Sequence, residues 1–366
     1  MNSRERVLKA FKLLKGAPDR VPVQFDLCRQ LSDYFGNELN IPVIYTDNLY
    51  EDVTYRISAN EVRTAMGSDV VITGVSVSDK FKIINEPDGT WLNEYQMRMR
   101  RGEIFVEVID YPLEHSETKT DIITYNFPDP DASGRYRDVE ALVKKFHDKF
   151  LIFGDIEVTV FSLAQQLVGK EKLLADMMME KEYVVPLFES CAEFQTQIGL
   201  RLIDKGVDAI WVGDDFGNRE SLIMSPEIFR TQLKPLYKNM IDSFKAAKSD
   251  IIPILHCDGA ASELLDDFWE IGFRVFNPAQ PGVPGHSPKY LKDKFGAKFS
   301  FWGAIDQQDL LPNSSDKDLE NDIIEKIKFL GKDGGYMISP AHIIQNDVFP
   351  ERVKKFIELC IQHGKN

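Results

Sequence analysis

Cysteine is scarce in this chain: four in 366 residues, Cys28, Cys191, Cys257 and Cys360, with no C-x-x-C pair. Such spacing excludes a disulfide-stapled scaffold and suits a reducing cytoplasm. Positive charge is outnumbered. Lys and Arg total 44 against 58 Asp and Glu, a net charge of −14, which argues against a nucleic-acid partner or an anionic membrane surface. Long apolar runs are missing. No stretch approaches the roughly 20 apolar residues of a membrane span, and MNSRERVLKAF at the start lacks the apolar segment of a signal peptide. There is no Walker A loop and no G-x-G-x-x-G, so nucleotide cofactors have no support, and no G-x-S-x-G elbow for a serine hydrolase. Low-complexity tracts, short repeats and Gly/Ser linkers are also lacking. These absences leave an ordinary globular chain, expected in the cytoplasm.

What is present is an alternation. Eight short apolar runs lie at residues 21–25, 69–74, 151–157, 209–213, 252–257, 274–277, 299–304 and 336–339. They are rich in Val, Ile, Phe and Trp and brief, as parallel strands covered on both faces should be. Between them run stretches of helical period, such as residues 184–205, with Val185, Phe188, Cys191, Phe194, Ile198 and Leu202 on one stripe. Ser225-Pro226 and Ser287-Pro288 read as a helix cap followed by Pro at the first helical position. Eight strands alternating with helices predict an α/β fold, a (β/α)8 TIM barrel, with a doubly wound open sheet as the alternative. One stretch departs from the rhythm. Residues 81–113 read as alternating strands about an Asp88-Gly89 turn, in the segments FKIINEP, TWLNEYQMRMRR and IFVEVIDY. A hairpin insertion after the second strand, within residues 75–137, would sit on the active-site face as a lid or docking platform, or simply cover the barrel end.

In barrel enzymes chemistry gathers where the strands end. Here those ends carry Asp26, Asp155 with Glu157, Asp214 with Asp215, His256 with Asp258, Asn277, Asp306 and His342. Acids placed directly after buried strands are unfavourable unless paired, bound to metal or solvated in a pocket. Helix capping explains some of them singly, but explains seven strand ends at once poorly. His256 and Asp258 stand two apart, so an extended backbone turns both to one side and Cys257 to the other. With His342 brought in by barrel closure, His256, Asp258 and His342 form a plausible ligand set for zinc or another divalent ion. The plainer alternative is a turn-stabilising Asp beside a hydrogen-bonded His. The remaining histidines, His115, His147, His286 and His363, read as surface or loop residues, and Trp211 and Trp302 as core.

The segments RERVLKAF, DRVPV, GDDFG, LHCDGA, FNPAQP, WGAID and SPAHIIQNDVFPERV resemble the uroporphyrinogen decarboxylase superfamily, in the order of the strands above. The resemblance implies one (β/α)8 domain over residues 1–366. It implies either a decarboxylase of a tetrapyrrole or small acid, or a methyltransferase that works with a corrinoid protein. It is nearer to the second. The Arg-Gln-Ala-Gly-Arg segment with which the decarboxylases grip substrate carboxylates is replaced here by Phe25-Asp26-Leu27-Cys28-Arg29-Gln30-Leu31. The thiolates with which thiol-specific methyltransferases hold zinc are replaced by Asp258 and His342.

The resemblance further implies a transfer of methyl from a small donor, a phenyl methyl ether or a methylamine, to the cobalt of a partner corrinoid protein. Glu157, Asp214, Asp215, His256, Asp306 and His342 are then the expected catalytic residues. Asp26, Asp155 and Asn277 would contact substrate. A metal at His256, Asp258 and His342, or a protonated carboxyl of Glu157 or of the Asp214–Asp215 pair, would supply charge to the leaving oxygen. A homodimer is left open.

Overall fold

The computed structural model describes residues 1–46, 56–102 and 106–365. Seven parallel strands follow one another around a curled sheet: β1 (Val70–Thr73), then β6 (Leu151–Asp155), β7 (Ala209–Gly213), β8 (Ile252–His256), β9 (Val275–Asn277), β10 (Ser300–Ile305) and β11 (Tyr336–Pro340). Helices cover the outside, giving a TIM-barrel-like fold. Side chains alternate between two layers, as the two-residue period of a strand demands. Val70, Ile72, Phe153, Trp211, Ile254, Val275, Trp302 and Met337 fill the interior, where Val7 and Phe11 of the N-terminal segment also pack. Their neighbours Val71, Ile152, Ile210, Leu255, Phe276 and Ile338 face the helices.

The first expected strand, residues 21–25, is not a regular one. It holds the eighth place through isolated bridges, Val23 to Ile338 and Leu27 to Ile344. The reason is local. Pro22 has no N–H to give to a ladder, and the Val23 N–H is taken by the Asp69 carboxylate at 2.8 Å. Backbone bonds nevertheless join this segment to both sides. Ile338 N donates to Pro22 O at 2.9 Å, Gln24 N to Ile338 O at 3.0 Å, and Asp69 N to Val23 O at 2.8 Å.

Between β1 and β6 the chain builds a second, antiparallel sheet: β2 (Ile84–Asn85), β3 (Trp91–Leu92), β4 (Arg98–Arg101) and β5 (Val106–Asp110). The turn at Asp88-Gly89 joins only its first pair. A second turn, in which the Asn93 side chain accepts from Tyr95 N and Met97 N, adds the third strand. Residues 104 and 105, expected to open the last strand, lie outside the described residues. This sheet is anchored to the barrel. Tyr95 meets Phe194 edge-on at 5.9 Å, and Arg135 grips Glu94 with two bonds of 2.8 and 2.9 Å.

Ser225 and Ser287 cap their helices as expected, accepting from Ile228 N and Tyr290 N. The expected stripe on the helix Val184–Asp204 is shifted slightly: Val184 and Leu187 are buried, and Val185 is exposed. No described helix is long and apolar enough to cross a membrane.

Asp69 is the joint of the barrel seam. Fully buried, it accepts from Ser3 Oγ, Arg6 and Arg20 as well as from Val23 N. Removing one member of a buried ion-pair cluster leaves the others uncompensated and costs about 3–5 kcal/mol. Asp69→Ala should lower unfolding stability by that amount in a urea titration, and Asp69→Asn by less.

Candidate active site

Register places the site. Gly213 of β7 lies beside His256 of β8, which lies beside Asn277 of β9. His256 extends the inward stripe of Ile252 and Ile254, so its ring enters the barrel mouth, 3 % exposed. Cys257 turns outward, where its sulfur accepts from Phe216 N at 3.4 Å.

The orientation of the imidazole is set by its neighbour. Asn277 Nδ2 donates to Trp302 O at 3.3 Å, so its Oδ1 is the acceptor that meets His256 Nδ1 at 2.6 Å. His256 Nδ1 therefore carries the proton and Nε2 the lone pair. Burial, with the charge of Arg56, lowers the His256 pKa to about 3, so the ring is neutral. Its Nε2 lone pair faces Glu157 Oε1 at 3.5 Å and Asp258 Oδ2 at 3.8 Å. A lone pair aimed at carboxylate oxygens is a favourable arrangement only with a proton or a cation between them.

The donor set fits a cation. Asp215, His256 and Asp258 offer ligand atoms that all lie within 4.8 Å of one another. One nitrogen and two carboxylates suit zinc or a harder divalent ion, and the Asn277 contact is the outer support that metal-bound imidazoles usually have. Asp215 also accepts from Asp258 N at 2.8 Å, which locks the ends of β7 and β8 together. The two chains cross so closely there that a Cβ on Gly259 (φ +79°) would lie 2.5 Å from the Gly217 backbone. His342 is not in that ligand group. It stands near enough for its charge to act on Asp215, and burial lowers its pKa to about 4. Burial raises Asp215 and, still more, Asp258, and their mutual repulsion adds to the rise in Asp258.

Beneath this cluster lies a residue that sequence reasoning passed over. Arg56 is 2 % exposed. Its guanidinium stacks 4.0 Å over the Trp211 ring and pairs with Glu157, with Asp26 at 3.3 Å and with Asp155 at 3.5 Å. Arg63 joins Asp26 from the other side. Asp26 and Asp155, expected to touch substrate, are thus spent on buried cations. Burial pushes Asp155 up to about 6 against the pull of Arg56. Gly213 makes room for Glu157: a Cβ there would fall 2.5 Å from the glutamate Cγ.

Two expected catalytic acids have other work. Asp214 is 1 % exposed and accepts from Val160 N, Ser162 N and the Tyr237 hydroxyl. It braces the start of the helix Phe161–Val168 and forms part of the cavity floor. Asp306 accepts from Gln308 N at 2.8 Å and Asp309 N at 3.2 Å, so it caps the turn into the helix Leu310–Asn313. His286 lies in a loop as expected, yet is buried, with Nδ1 on Gln280 O at 3.2 Å.

A cavity of about 360 Å³ opens beside the cluster. Its floor holds Glu157, Asp214, Asp215 and His256, and one wall is made by Met99, Val106, Val108 and Tyr111 from the inserted sheet and its exit.

The profile of the family described as uroporphyrinogen decarboxylase matches residues 96–363. That is most of the chain, and the protein belongs to this family. Among solved structures it is similar over its whole length to a methyltransferase from Methanosarcina mazei, with a TM-score of 0.69 at 16 % identity and 99 % of each chain covered. It is more distantly similar to a B12-independent methionine synthase from Shewanella sp. W3-18-1, with a TM-score of 0.45 at 10 % identity, covering 82 % of this chain and 83 % of that one. At 16 % identity the likeness to the methyltransferase speaks for the fold. None of the curated protein sequences matches.

The geometry sets two expected outcomes. Asn277→Ala frees the His256 ring, so affinity for Zn²⁺, measured by competition with a chromogenic chelator, should fall about 10- to 100-fold. His286 titrates near 4 because of its burial, below its ordinary 6.5. As pH falls the unfolded chain protonates first, so the stability contributed by the neutral ring is complete above 6.5 and is lost between about 6.5 and 4. Unfolding free energies of His286→Gln should therefore depend less steeply on pH in that window, by up to about 1.4 kcal/mol per pH unit.

Proposed function

We propose that this protein is a methyltransferase that takes a methyl group from a small methyl ether and passes it to the cobalt of a corrinoid carried by a partner protein. The observation that carries the reading is the His256 Nε2 lone pair, aimed with Asp215 and Asp258 at one point on the edge of a cavity. The family and the shared fold with a methyltransferase support it.

The difficulty of the reaction lies in the leaving group. An ether oxygen departs badly unless it receives positive charge or a proton as the C–O bond breaks. A divalent ion held by Asp215, His256 and Asp258 would supply Lewis acidity at that oxygen. The reduced corrinoid would supply the nucleophile. The chain itself does the rest. Asn277 holds the His256 ring, and Arg56 holds Glu157 at the rim of the cluster. Two carboxylates as close as Asp215 and Asp258 do not both ionise in a buried setting, so without an ion between them the pair keeps a proton. That proton is the one a departing oxygen can take. The inserted sheet shields one side of the cavity, and a partner seated over the mouth would exclude water from the other.

The decarboxylase reading needs cations converging on substrate carboxylates. Among the described residues no arginine lines the cavity. Arg201 faces Asp131 at 2.8 Å on the outside, and Arg29 stacks on Tyr45.

The test is conversion of cob(I)alamin to methylcobalamin by the purified protein, with phenyl methyl ethers and methylamines offered in turn. His256→Ala should lower the rate by about 10²–10³, with the native circular-dichroism spectrum retained, and His342→Ala should lower it by less. Wild-type rates in both variants would remove these histidines from the chemistry. Release of CO2 from a porphyrinogen, with no methyl transfer, would establish the decarboxylase.

A further inference from the structure

A larger cavity, of about 630 Å³, lies at the other end of the barrel. It opens between the turn that follows the helix Ser3–Ala10 and residues 331–334, which lead into β11. Tyr336, the first residue of β11, also lines it, so it sits at the N-terminal ends of the strands, opposite to His256 and its acids. That face of a barrel takes no part in chemistry at the strand ends, and the methyl-transfer reaction does not call for a cavity there.

Its charge is the reverse of the catalytic cavity's. Lys9, Lys12 and Lys15 line it, against one carboxylate, Asp333. Lys9 is paired with Glu5 at 2.9 Å. Lys12 donates to Gly296 O at 3.2 Å, and among the described residues neither Lys12 nor Lys15 has a carboxylate in ion-pair reach. Acids outnumber bases by 58 to 44 in this chain, so cations gathered without acids are not explained by a shortage of partners. A further lysine adds to the crowd. Lys292 is half-buried, its Nζ donating to Leu330 O at 2.8 Å and Gly334 O at 2.6 Å. A Cβ on Gly335 (φ +83°) would lie 3.4 Å from Lys12 Nζ and 3.6 Å from Lys292 Nζ, so glycine at that position lets the two ammonium groups approach. Burial, with the charges of Lys12 and Lys332, lowers the Lys292 pKa to about 8. Like charges held together repel, and an anion beside them relieves the repulsion.

The rest of the lining limits that anion. Leu13 and Leu14 stand at the cavity 49 % and 44 % exposed, next in sequence to Lys12 and Lys15. Apolar side chains left in water beside cations suit a ligand with a charged end and a less polar body. At roughly 30 Å³ per water, about 630 Å³ corresponds to roughly twenty waters, and inorganic phosphate would leave most of it unfilled. Lysine binds phosphate as a point charge, without a shaped loop.

We propose that this cavity binds an organic polyphosphate of nucleotide size, its phosphates on Lys12 and Lys15 and its organic part against Leu13 and Leu14. The site is separate from the methyl-transfer centre and stands or falls without it.

ATP, tripolyphosphate and adenosine separate the contributions of charge and body. Binding is measured by titration calorimetry on the full-length protein. ATP should bind tightest, by at least about tenfold over adenosine, with tripolyphosphate between them, and its affinity should weaken as salt is raised. In the double variant Lys12→Gln/Lys15→Gln the ATP affinity should fall at least about tenfold, with the native circular-dichroism spectrum retained. In His256→Ala, at the opposite end of the barrel, it should be unchanged. Bound ATP should also protect Lys12 and Lys15 from acetylation by acetic anhydride, read by peptide mass spectrometry. Failure of ATP to bind, ATP no tighter than adenosine or than tripolyphosphate, unchanged affinity in the double variant, or loss of binding in His256→Ala would each overturn the proposal. Sedimentation with vesicles of phosphatidylcholine containing one-fifth phosphatidylserine, without binding of ATP, would overturn it too and assign these lysines and leucines to a membrane surface.

Discussion

The site is organised around a buried cation, Arg56. Arg56 lies between the Trp211 ring and three carboxylates, Asp26, Asp155 and Glu157. A guanidinium is always charged and presents a planar fork with two faces. One face is used on the indole, and the nitrogens are used on the acids. Acids at the end of a buried strand would otherwise hold protons or drive the strand ends apart. With Arg56 in place, β6 can end in Asp155 and be followed by Glu157, and the mouth above can carry a second acidic group at Asp215 and Asp258. Among the described residues those two have no such cation as a hydrogen-bond or ion-pair partner; burial raises both, and the charge of Asp215 adds to the rise in Asp258. The molecule thus divides its carboxylates into a lower set neutralised by protein and an upper set left for a proton or a metal ion.

The barrel was legible because strands covered on both faces are apolar throughout, and seven of the eight runs form the ladder. The run at 21–25 shows the limit. Its composition is that of a strand, but Pro22 and the side chain of Asp69 remove the donors that would make it one. Parity in β8 correctly separated His256 and Asp258 from Cys257, since alternation follows from backbone geometry alone. The alternating stretch after β1 was legible as β-structure, but not its strand number, because the second turn is made by an Asn side chain rather than by Gly or Pro.

The roles of the acids were less legible, for a different reason. Asp214, Asp215, Asp258 and Asp306 all follow strands, and composition does not distinguish them. What does is which backbone N–H groups point at each. Asp214 and Asp306 are absorbed by helix starts, while Asp215 and Asp258 keep oxygens near His256. Arg56 lies in no periodic segment, so nothing in its surroundings marks it as buried. The one available signal was charge balance: a crowd of acids at strand ends requires a cation, and none stood at a strand end to supply it.

Among the described residues the inserted sheet pairs only with itself. Strands β2 to β5 form their ladder apart from the seven-stranded sheet, yet Met99, Val106 and Val108 complete the cavity. The acid and imidazole cluster and much of the surface that walls the cavity beside it are therefore written in different stretches of the chain. A change in residues 84–102 or 106–110 alters no rung of the barrel, and a change in a barrel strand alters no rung of the insert. Drift in a peripheral sheet can therefore reshape the cavity wall with the imidazole, the acids and the arginine beneath them held constant.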